Sequence, residues 1–103
     1  MPNEQNIIDA LKEVYDPEIP LNVYDLGFIY GITIEGGDVY IKMTLTVPGC
    51  PMHQVLTGMV KEKIESFPDV NNVTVELTFE PRWTINNISD QGKEILRGYG
   101  YNL

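Results

Sequence analysis

Hydrophobic positions follow helical spacing in three segments of the chain and alternate in three others. The first helix is predicted from a cap at Asn3 to about Val14. A second helix begins near Pro51, and a third runs from a cap at Ser89 to about Arg97. The apolar positions of the first two helices are Ile7, Ile8, Leu11, Val14 and Tyr15, then Met52, Val55, Leu56, Met59, Val60, Ile64 and Phe67.

Alternation with a period of two predicts three strands. Apolar residues alternate from Leu26 to Ile34, from Val39 to Val47 and from Val73 to Phe79. Gly36 and Gly37 lie between the first two strands and supply a tight turn, which predicts a hairpin. A helix connects the second and third strands, so these two are predicted to be parallel with a right-handed crossover.

The order of these elements, α-β-β-α-β-α, predicts an α+β fold with helices packed on a three-stranded mixed sheet. A chain of 103 residues suits a single small domain, which we expect to cover residues 1–103. An apolar share of 43% is ordinary for a globular domain and argues against wholesale disorder.

The charge is acidic and unevenly placed. Lys and Arg number 7 against 15 Asp and Glu, for a formal net charge of -8. Residues 1–40 hold eight of these acids and one base, Lys12. This balance argues against a nucleic-acid binder, because backbone phosphates require a basic face.

The single cysteine restricts the chemistry further. It excludes an intramolecular disulfide framework and a four-thiolate metal site within one chain. No apolar run approaches the roughly 20 residues of a membrane span, and the N-terminus lacks the pattern of a signal peptide. We therefore expect a soluble, cytoplasmic protein without nucleic-acid or membrane partners.

Cys50 is the candidate reactive residue. It lies between Gly49 and Pro51 at the predicted start of the second helix, where the first N–H groups have no partner within the helix. The partial positive charge of that end favours a thiolate over a thiol. A thiolate there suits nucleophilic attack, thiol exchange or soft-metal ligation. The ordinary alternative for a lone cysteine is a small buried hydrophobic residue.

Two residues near Cys50 are candidates to act with it. His53 can share the first helical turn and add a metal ligand, although a solvent-facing histidine is the simpler interpretation. Thr46 could donate a hydrogen bond toward the cysteine loop, but strand propensity explains it equally well. A hydrolase built from Cys50, His53 and either Asp25 or Glu18 is disfavoured. Cys50 and His53 are only three positions apart, within one helical turn, which is an unusual arrangement for a nucleophile and its base.

Three acids fall in the proline-bound segment that follows the first helix. Most acids of the chain are best interpreted as a solvated surface. Asp16, Glu18 and Asp25 are instead candidates for a polar site around Cys50. Their segment is short and interrupted by prolines, so it cannot be an ordinary solvent-exposed helix.

Four segments occur in an order typical of one family. They are Asp16-Pro17-Glu18-Ile19-Pro20, Val23-Tyr24-Asp25-Leu26-Gly27-Phe28-Ile29-Tyr30, Thr44-Leu45-Thr46-Val47-Pro48-Gly49-Cys50-Pro51-Met52 and Pro81-Arg82-Trp83-Thr84. Together they resemble the MIP18/DUF59 family, which includes the SufT-type iron–sulfur assembly factors and the PaaD subunit associated with phenylacetyl-CoA oxygenase. The resemblance covers nearly the whole chain.

The resemblance implies a small cytosolic factor that helps to mature or deliver iron–sulfur clusters. Cys50 then corresponds to the family's motif cysteine, Asp16 and Glu18 to its acidic pair, and Thr46 to its motif threonine. Asp25 falls in the D-L-G element. The partners implied are the iron–sulfur assembly machinery and recipient apoproteins. Pairing of two copies into a homodimer is left open by the sequence.

The chain departs from the family pattern at two positions. Val47 stands where many relatives have a hydroxyl residue, which puts a second hydroxyl contact in doubt. Arg82, beside Trp83 of the P-x-W element, stands where proline is common, and this predicts a looser loop.

The number of thiolates limits what the chain can bind. Cluster ligation normally takes four thiolates or their equivalents, whereas one chain supplies one and a homodimer two. We therefore expect no tightly bound cofactor, and at most a transient iron–sulfur cluster or iron at Cys50, with His53 as a second candidate ligand. An assembly or carrier factor is favoured over an enzyme. The alternatives are a PaaD-like accessory subunit of a multicomponent oxygenase and, less favoured, a thiol-dependent enzyme.

Overall fold

The structure, a computed structural model, describes residues 3–16, 19–45 and 53–101. Within these ranges it has the predicted order α-β-β-α-β-α, which confirms the α+β fold with a three-stranded mixed sheet. The elements are α1 (Glu4–Leu11), β1 (Ile29–Glu35), β2 (Asp38–Met43), α2 (His53–Glu65), β3 (Asn72–Leu77), a short 3-10 helix (Ile85–Asn87) and α3 (Asp90–Gly98). The 3-10 helix falls in a stretch for which the sequence pattern predicted no element.

The sheet has the strand order β1-β2-β3. β1 and β2 form the predicted antiparallel hairpin, and Gly36 makes its turn with a φ of 59° that other residues rarely adopt. β2 and β3 are parallel and in register from Asp38 opposite Asn72 to Met43 opposite Leu77. The predicted parallel pairing of these two strands, with α2 as their connection, is therefore confirmed.

The core lies between the sheet and the first two helices. α2 packs on β3, and α1 packs on α2. Just after α1, Glu13 Oε1 lies 3.4 Å from Lys63 Nζ of α2. The fully buried large side chains are Phe28, Ile7, Leu11, Leu21, Leu26, Ile41, Met43, Leu56, Ile64, Val23, Val39 and Val60. The predicted core face of α2 was too wide, because Val55 and Met59 are exposed. The buried stripe of this helix is the narrower set Leu56, Val60 and Ile64.

Helix caps were predicted correctly. The Asn3 side chain accepts a hydrogen bond from the Asn6 N–H over 2.8 Å, and the Ser89 hydroxyl accepts one from the Gly92 N–H over 2.9 Å. The end of α1 was predicted wrongly: the helix ends at Leu11 rather than near Val14. Tighter turns follow Leu11, since the Val14 N–H bonds to the Leu11 carbonyl rather than four residues back.

Three strand boundaries also differ from the prediction. β1 begins at Ile29 rather than Leu26, because residues 23–27 form turns that bury Leu26. Phe28, also buried, bonds through its carbonyl to the Thr44 N–H just after β2. β3 ends at Leu77 rather than Phe79. β2 ends at Met43, and the remainder of its predicted extent, from Thr46 on, lies outside the described residues.

The outer face of the sheet is polar. The Tyr40 hydroxyl donates a hydrogen bond to the Glu76 carboxylate, and Lys42 Nζ lies 3.9 Å from Glu76 Oε2. The bond to Glu76 raises the pKa of Tyr40, and desolvation and the negative charge of Glu76 raise it further. In the described part of the chain, no helix has the length and apolar character needed to cross a bilayer.

Candidate functional site

The predicted site residues divide into two groups. Asp16 and Asp25 lie within the described residues, whereas Glu18, Thr46 and Cys50 lie outside them. His53 is the first residue of α2, and the description covers its backbone only. The predicted meeting of Asp16 and Glu18 with Cys50 therefore stays a prediction.

Asp16 shapes the start of the loop that connects α1 to β1. Its Oδ1 accepts a hydrogen bond from the Ile19 N–H over 2.9 Å, and its own N–H donates to the Leu21 carbonyl over 3.2 Å. Asp side chains commonly form such local hydrogen bonds with nearby backbone N–H groups at caps and turns. This carboxylate thus fixes the backbone on both sides of residues 17 and 18.

Asp25 connects this loop to the last helix. Its side chain is buried, with Oδ2 accepting from Asn22 Nδ2 over 2.8 Å and Oδ1 accepting from the Ser89 hydroxyl over 2.9 Å. The Asp25 carbonyl also accepts a hydrogen bond from the Ser89 N–H over 2.9 Å. Both carboxylate oxygens are thereby used inside the fold. Asp25 thereby joins the loop before β1 to the cap of α3, and its predicted part in a site around Cys50 stays a prediction.

Asn22 and Ser89 are site residues that the sequence reasoning missed. The Asp25 N–H donates to Asn22 Oδ1 over 2.8 Å, so the two residues bond reciprocally at a spacing of three, much as in a capping box. That spacing was visible in the sequence. Ser89 was predicted as a helix cap only, and its bond to Asp25 joins residues 64 positions apart, which no local pattern reports.

The D-L-G element packs directly against the segment that follows the P-x-W element. Gly27 has a φ of 77°, and a Cβ added there would lie 2.2 Å from the Asn87 carbonyl oxygen. Glycine is therefore required both by the backbone conformation and by the close approach of another backbone. The D-L-G motif reflects this packing.

Trp83 fixes the other side of the same contact. Its Nε1–H donates to the Leu26 carbonyl over 2.7 Å, and its ring meets the Phe28 ring edge-on with 5.8 Å between centroids. The Tyr30 hydroxyl donates to the Pro81 carbonyl over 2.7 Å. The loop is thus held on both sides of Arg82, although that position lacks the common proline.

These contacts lie beside the end of β2, from which the chain continues toward Cys50. The Thr44 N–H donates to the Phe28 carbonyl over 2.7 Å, and the Thr78 N–H donates to the Met43 carbonyl over 2.8 Å. Thr44 is fully buried, although the sequence pattern placed it on the polar face of the strand. We call residues 22–28 and 81–89 the platform, because together they support the end of β2.

Metal ligation has no complete donor set in the described ranges. Within residues 3–16, 19–45 and 53–101, no group of three or more His, Cys, Asp or Glu side chains could hold a metal ion.

Comparison with known proteins bears directly on the resemblance. The family model described as "iron-sulfur cluster assembly protein" matches residues 4–77. The chain belongs to the iron–sulfur cluster assembly protein family. The motif-based prediction is confirmed, and the match to this family covers both the Asp16–Asp25 loop and the segment that carries Cys50.

Individual members of this family agree with the assignment. An "Fe-S protein maturation auxiliary factor" of Porphyromonas gingivalis is 45% identical over 89 residues, which are 85% of each chain. The solved structure of a DUF59 domain from Bacillus anthracis superposes with a TM-score of 0.85 at 31% identity, covering 91% of both chains. A protein of Escherichia coli, provisionally named as a component of 1,2-phenylacetyl-CoA epoxidase, is 34% identical over 96% of this chain and 60% of its own length.

Removal of the Asp25 carboxylate is expected to destabilise the platform. Asp25→Ala leaves the buried Asn22 amide and the Ser89 hydroxyl without their acceptor, which should lower the free energy of unfolding by about 2–4 kcal/mol. Asp38→Ala is the control: it removes a carboxylate whose hydrogen bond to Asn72 Nδ2 is exposed to solvent. This variant should change the free energy of unfolding by less than about 0.5 kcal/mol. Urea unfolding of the two variants measures both values. Equal stability would show that Asp25 does not hold the platform together.

Proposed function

We propose that this protein is an accessory factor in the maturation of iron–sulfur proteins and that Cys50 is the residue through which it acts. The observation that carries the proposal is family membership, together with 45% identity to a protein named for that role. Its partners are then the iron–sulfur assembly machinery and recipient apoproteins, in a reducing cytoplasm that keeps Cys50 a thiol.

The position of Cys50 supports thiolate chemistry. It precedes His53, the first residue of α2, by three residues, so it belongs to the segment that enters the N-terminal end of a 13-residue helix. The N–H groups and dipole of such an end favour a thiolate over a thiol. A thiolate can bind iron or a cluster edge and release it again.

The thiolate count makes this role transient. One chain supplies one of the four ligands that a cluster normally takes, and the described residues add no group of metal-binding side chains. A cluster or iron would therefore be cargo, with the remaining ligands supplied by a donor, a recipient or a small thiol. This is carrier or assembly chemistry rather than catalysis of a reaction.

The platform supports the same proposal. Residues 22–28 and 81–89 hold the end of β2 through Phe28 and Thr44, and α2 rests on the core through Leu56. The Cys50 segment thus has fixed residues on both of its sides. A rigid support of this kind lets one side chain be presented in a reproducible geometry.

Anaerobic reconstitution tests the proposal directly. The protein is incubated with ferrous iron and sulfide, with and without glutathione, and its absorbance and native mass are compared with those of Cys50→Ser. We expect a Cys50-dependent chromophore that is labile without added thiol. Equal spectra for the two proteins would remove Cys50 as a ligand, and a chromophore that survives gel filtration would contradict transient binding.

A second function is favoured by one observation, the relation to the Escherichia coli protein named as a component of an epoxidase. In that function the chain would be an accessory subunit of a multicomponent oxygenase. Affinity purification from the native host separates the two functions. Oxygenase components in stoichiometric amounts would support the second, and iron–sulfur assembly proteins would support the first.

A further inference from the structure

We propose that the outer edge of β3 pairs antiparallel with the same edge of a second copy of this chain, which joins two three-stranded sheets into one mixed six-stranded sheet. The proposal goes beyond the proposed function and does not depend on Cys50. It concerns the backbone and side chains of β3 and the neighbouring face of α2.

The backbone of β3 presents hydrogen-bonding groups at this edge. The Asn72 and Thr78 N–H groups donate toward β2, to the carbonyls of Gly37 and Met43. In a parallel pair alternate residues face the partner strand, so the N–H and C=O groups of Val73, Val75 and Leu77 point the other way. Among the described residues, no strand pairs with them.

The space beside this edge is open. A surface groove of about 500 Å³ runs along the contact of α2 with β3 and is lined by Thr57, Gly58, Lys61, Val73, Thr74 and Val75. A Cβ added at Gly58 would meet nothing within 4 Å. A strand that pairs with β3 would therefore find room beside α2.

The edge lacks the features by which proteins usually prevent strand pairing. β3 contains no proline, glycine or lysine, and its single charge, Glu76, is held over β2 by Tyr40 and Lys42. The other edge of the sheet differs, because β1 has an irregularity between Ile29 and Gly31. Its Tyr30 hydroxyl also bonds to the Pro81 carbonyl of the platform.

Charge favours a second copy as the occupant. Most of the net charge of -8 lies in residues 1–40, whereas the β3 edge and its groove carry one anion, Glu76, and one cation, Lys61. Two copies of an otherwise acidic chain can therefore approach here without strong repulsion. An acidic segment of another protein would find a single cation, Lys61, among the residues that line this groove.

The side chains of β3 are complementary to themselves in one register. Antiparallel pairing about a two-fold axis at Thr74 places Asn72 of each copy opposite Glu76 of the other, and Val73 opposite Val75. The amide can donate to the carboxylate, and no like charges face each other. The polar side chains stay on the outer face and the valines stay toward the core, as the two-residue period requires.

The geometry also sets where the two Cys50 segments begin. β2 is parallel to β3, so the ends of β2 in the two copies point in opposite directions. The chains toward Cys50 leave from opposite ends of the joint sheet. The last described residues after β2 therefore lie apart in this dimer.

Sedimentation equilibrium of charge variants tests the pairing. Thr74→Lys places two like charges at the two-fold axis, while Thr33→Lys makes the same change on the exposed outer face of β1, on the other side of Tyr40. We expect the mass of the wild type, Thr33→Lys and Cys50→Ser to rise with concentration from 11.7 kDa toward twice that value. Thr74→Lys should stay at the monomer mass.

Mixing two variants of opposite charge at residue 74 provides the most specific test of the β3–β3 pairing. Thr74→Lys and Thr74→Glu should each be monomeric and should form a heterodimer when combined, because opposite charges then meet at the axis. Circular dichroism confirms that each variant is folded. A wild type that stays at 11.7 kDa at millimolar concentration would overturn the proposal. So would a Thr74→Lys variant that associates as strongly as Thr33→Lys.

Discussion

A Cys50→Ser chain should restore no more iron–sulfur enzyme activity to a strain lacking this gene than an empty vector does. Serine is nearly isosteric with cysteine, so the local structure should persist. Its hydroxyl is not ionised near neutral pH and is a poor ligand for the iron of a cluster. The measurement is the activity of an iron–sulfur enzyme in extracts, normalised to its protein level and compared with wild-type complementation.

His53→Ala is the matched control for this experiment. It changes the residue three positions after Cys50 and leaves the thiol itself in place. We expect activity close to wild type if His53 faces solvent, and a loss comparable to that of Cys50→Ser if it is a second ligand. Full activity of Cys50→Ser, with the variant as abundant and as stable as the wild type, would show that the protein acts by docking alone.

Much of the fold follows from local periodicity. The alternation of Val39, Ile41 and Met43 predicted β2 because one face of that strand is buried, and the glycines before it predicted the hairpin. The prediction was less accurate where burial does not require a regular element. Leu26 and Phe28 continue the alternation of β1 but are buried before that strand begins. Trp83 holds this segment, because its Nε1–H bonds to the Leu26 carbonyl and its ring packs on the Phe28 ring.

The candidate site was only partly accessible from the sequence. Cys50 stood out because one thiol beside a glycine and a proline has a recognisable chemistry. Asp25 also stood out as an acid, but its role depends on the Ser89 hydroxyl at the far end of the chain. The contact of Gly27 with Asn87 is equally non-local. Spacing along the chain cannot report such pairs, although motif order did indicate that the segments belong together.

Gly27→Ala is expected to lower the free energy of unfolding by about 3 kcal/mol. A left-handed backbone costs an alanine roughly 1–2 kcal/mol. The new methyl group would also meet the Asn87 carbonyl oxygen at 2.2 Å, so the backbone must shift, and overpacking of this kind costs about 1–3 kcal/mol. Urea unfolding gives the loss. Trp83, the single tryptophan, reports the local change through its emission, which should shift to the red as its contact with Phe28 loosens.

Gly36→Ala is the control that measures the cost of a left-handed backbone without a steric contact like that of Gly27 with Asn87. Gly36 also has a positive φ, 59°, but a Cβ there would meet nothing within 4 Å. It should therefore cost only about 1 kcal/mol and leave the emission of Trp83 unchanged. If the platform positions the end of β2 that leads to Cys50, Gly27→Ala should also reduce iron–sulfur enzyme maturation at temperatures where it remains folded, and Gly36→Ala should not. Equal stability of the two variants would mean that the close approach of Asn87 to Gly27 adds nothing to the cost of the substitution. Equal maturation by the two variants would mean that the platform has no part in presenting Cys50.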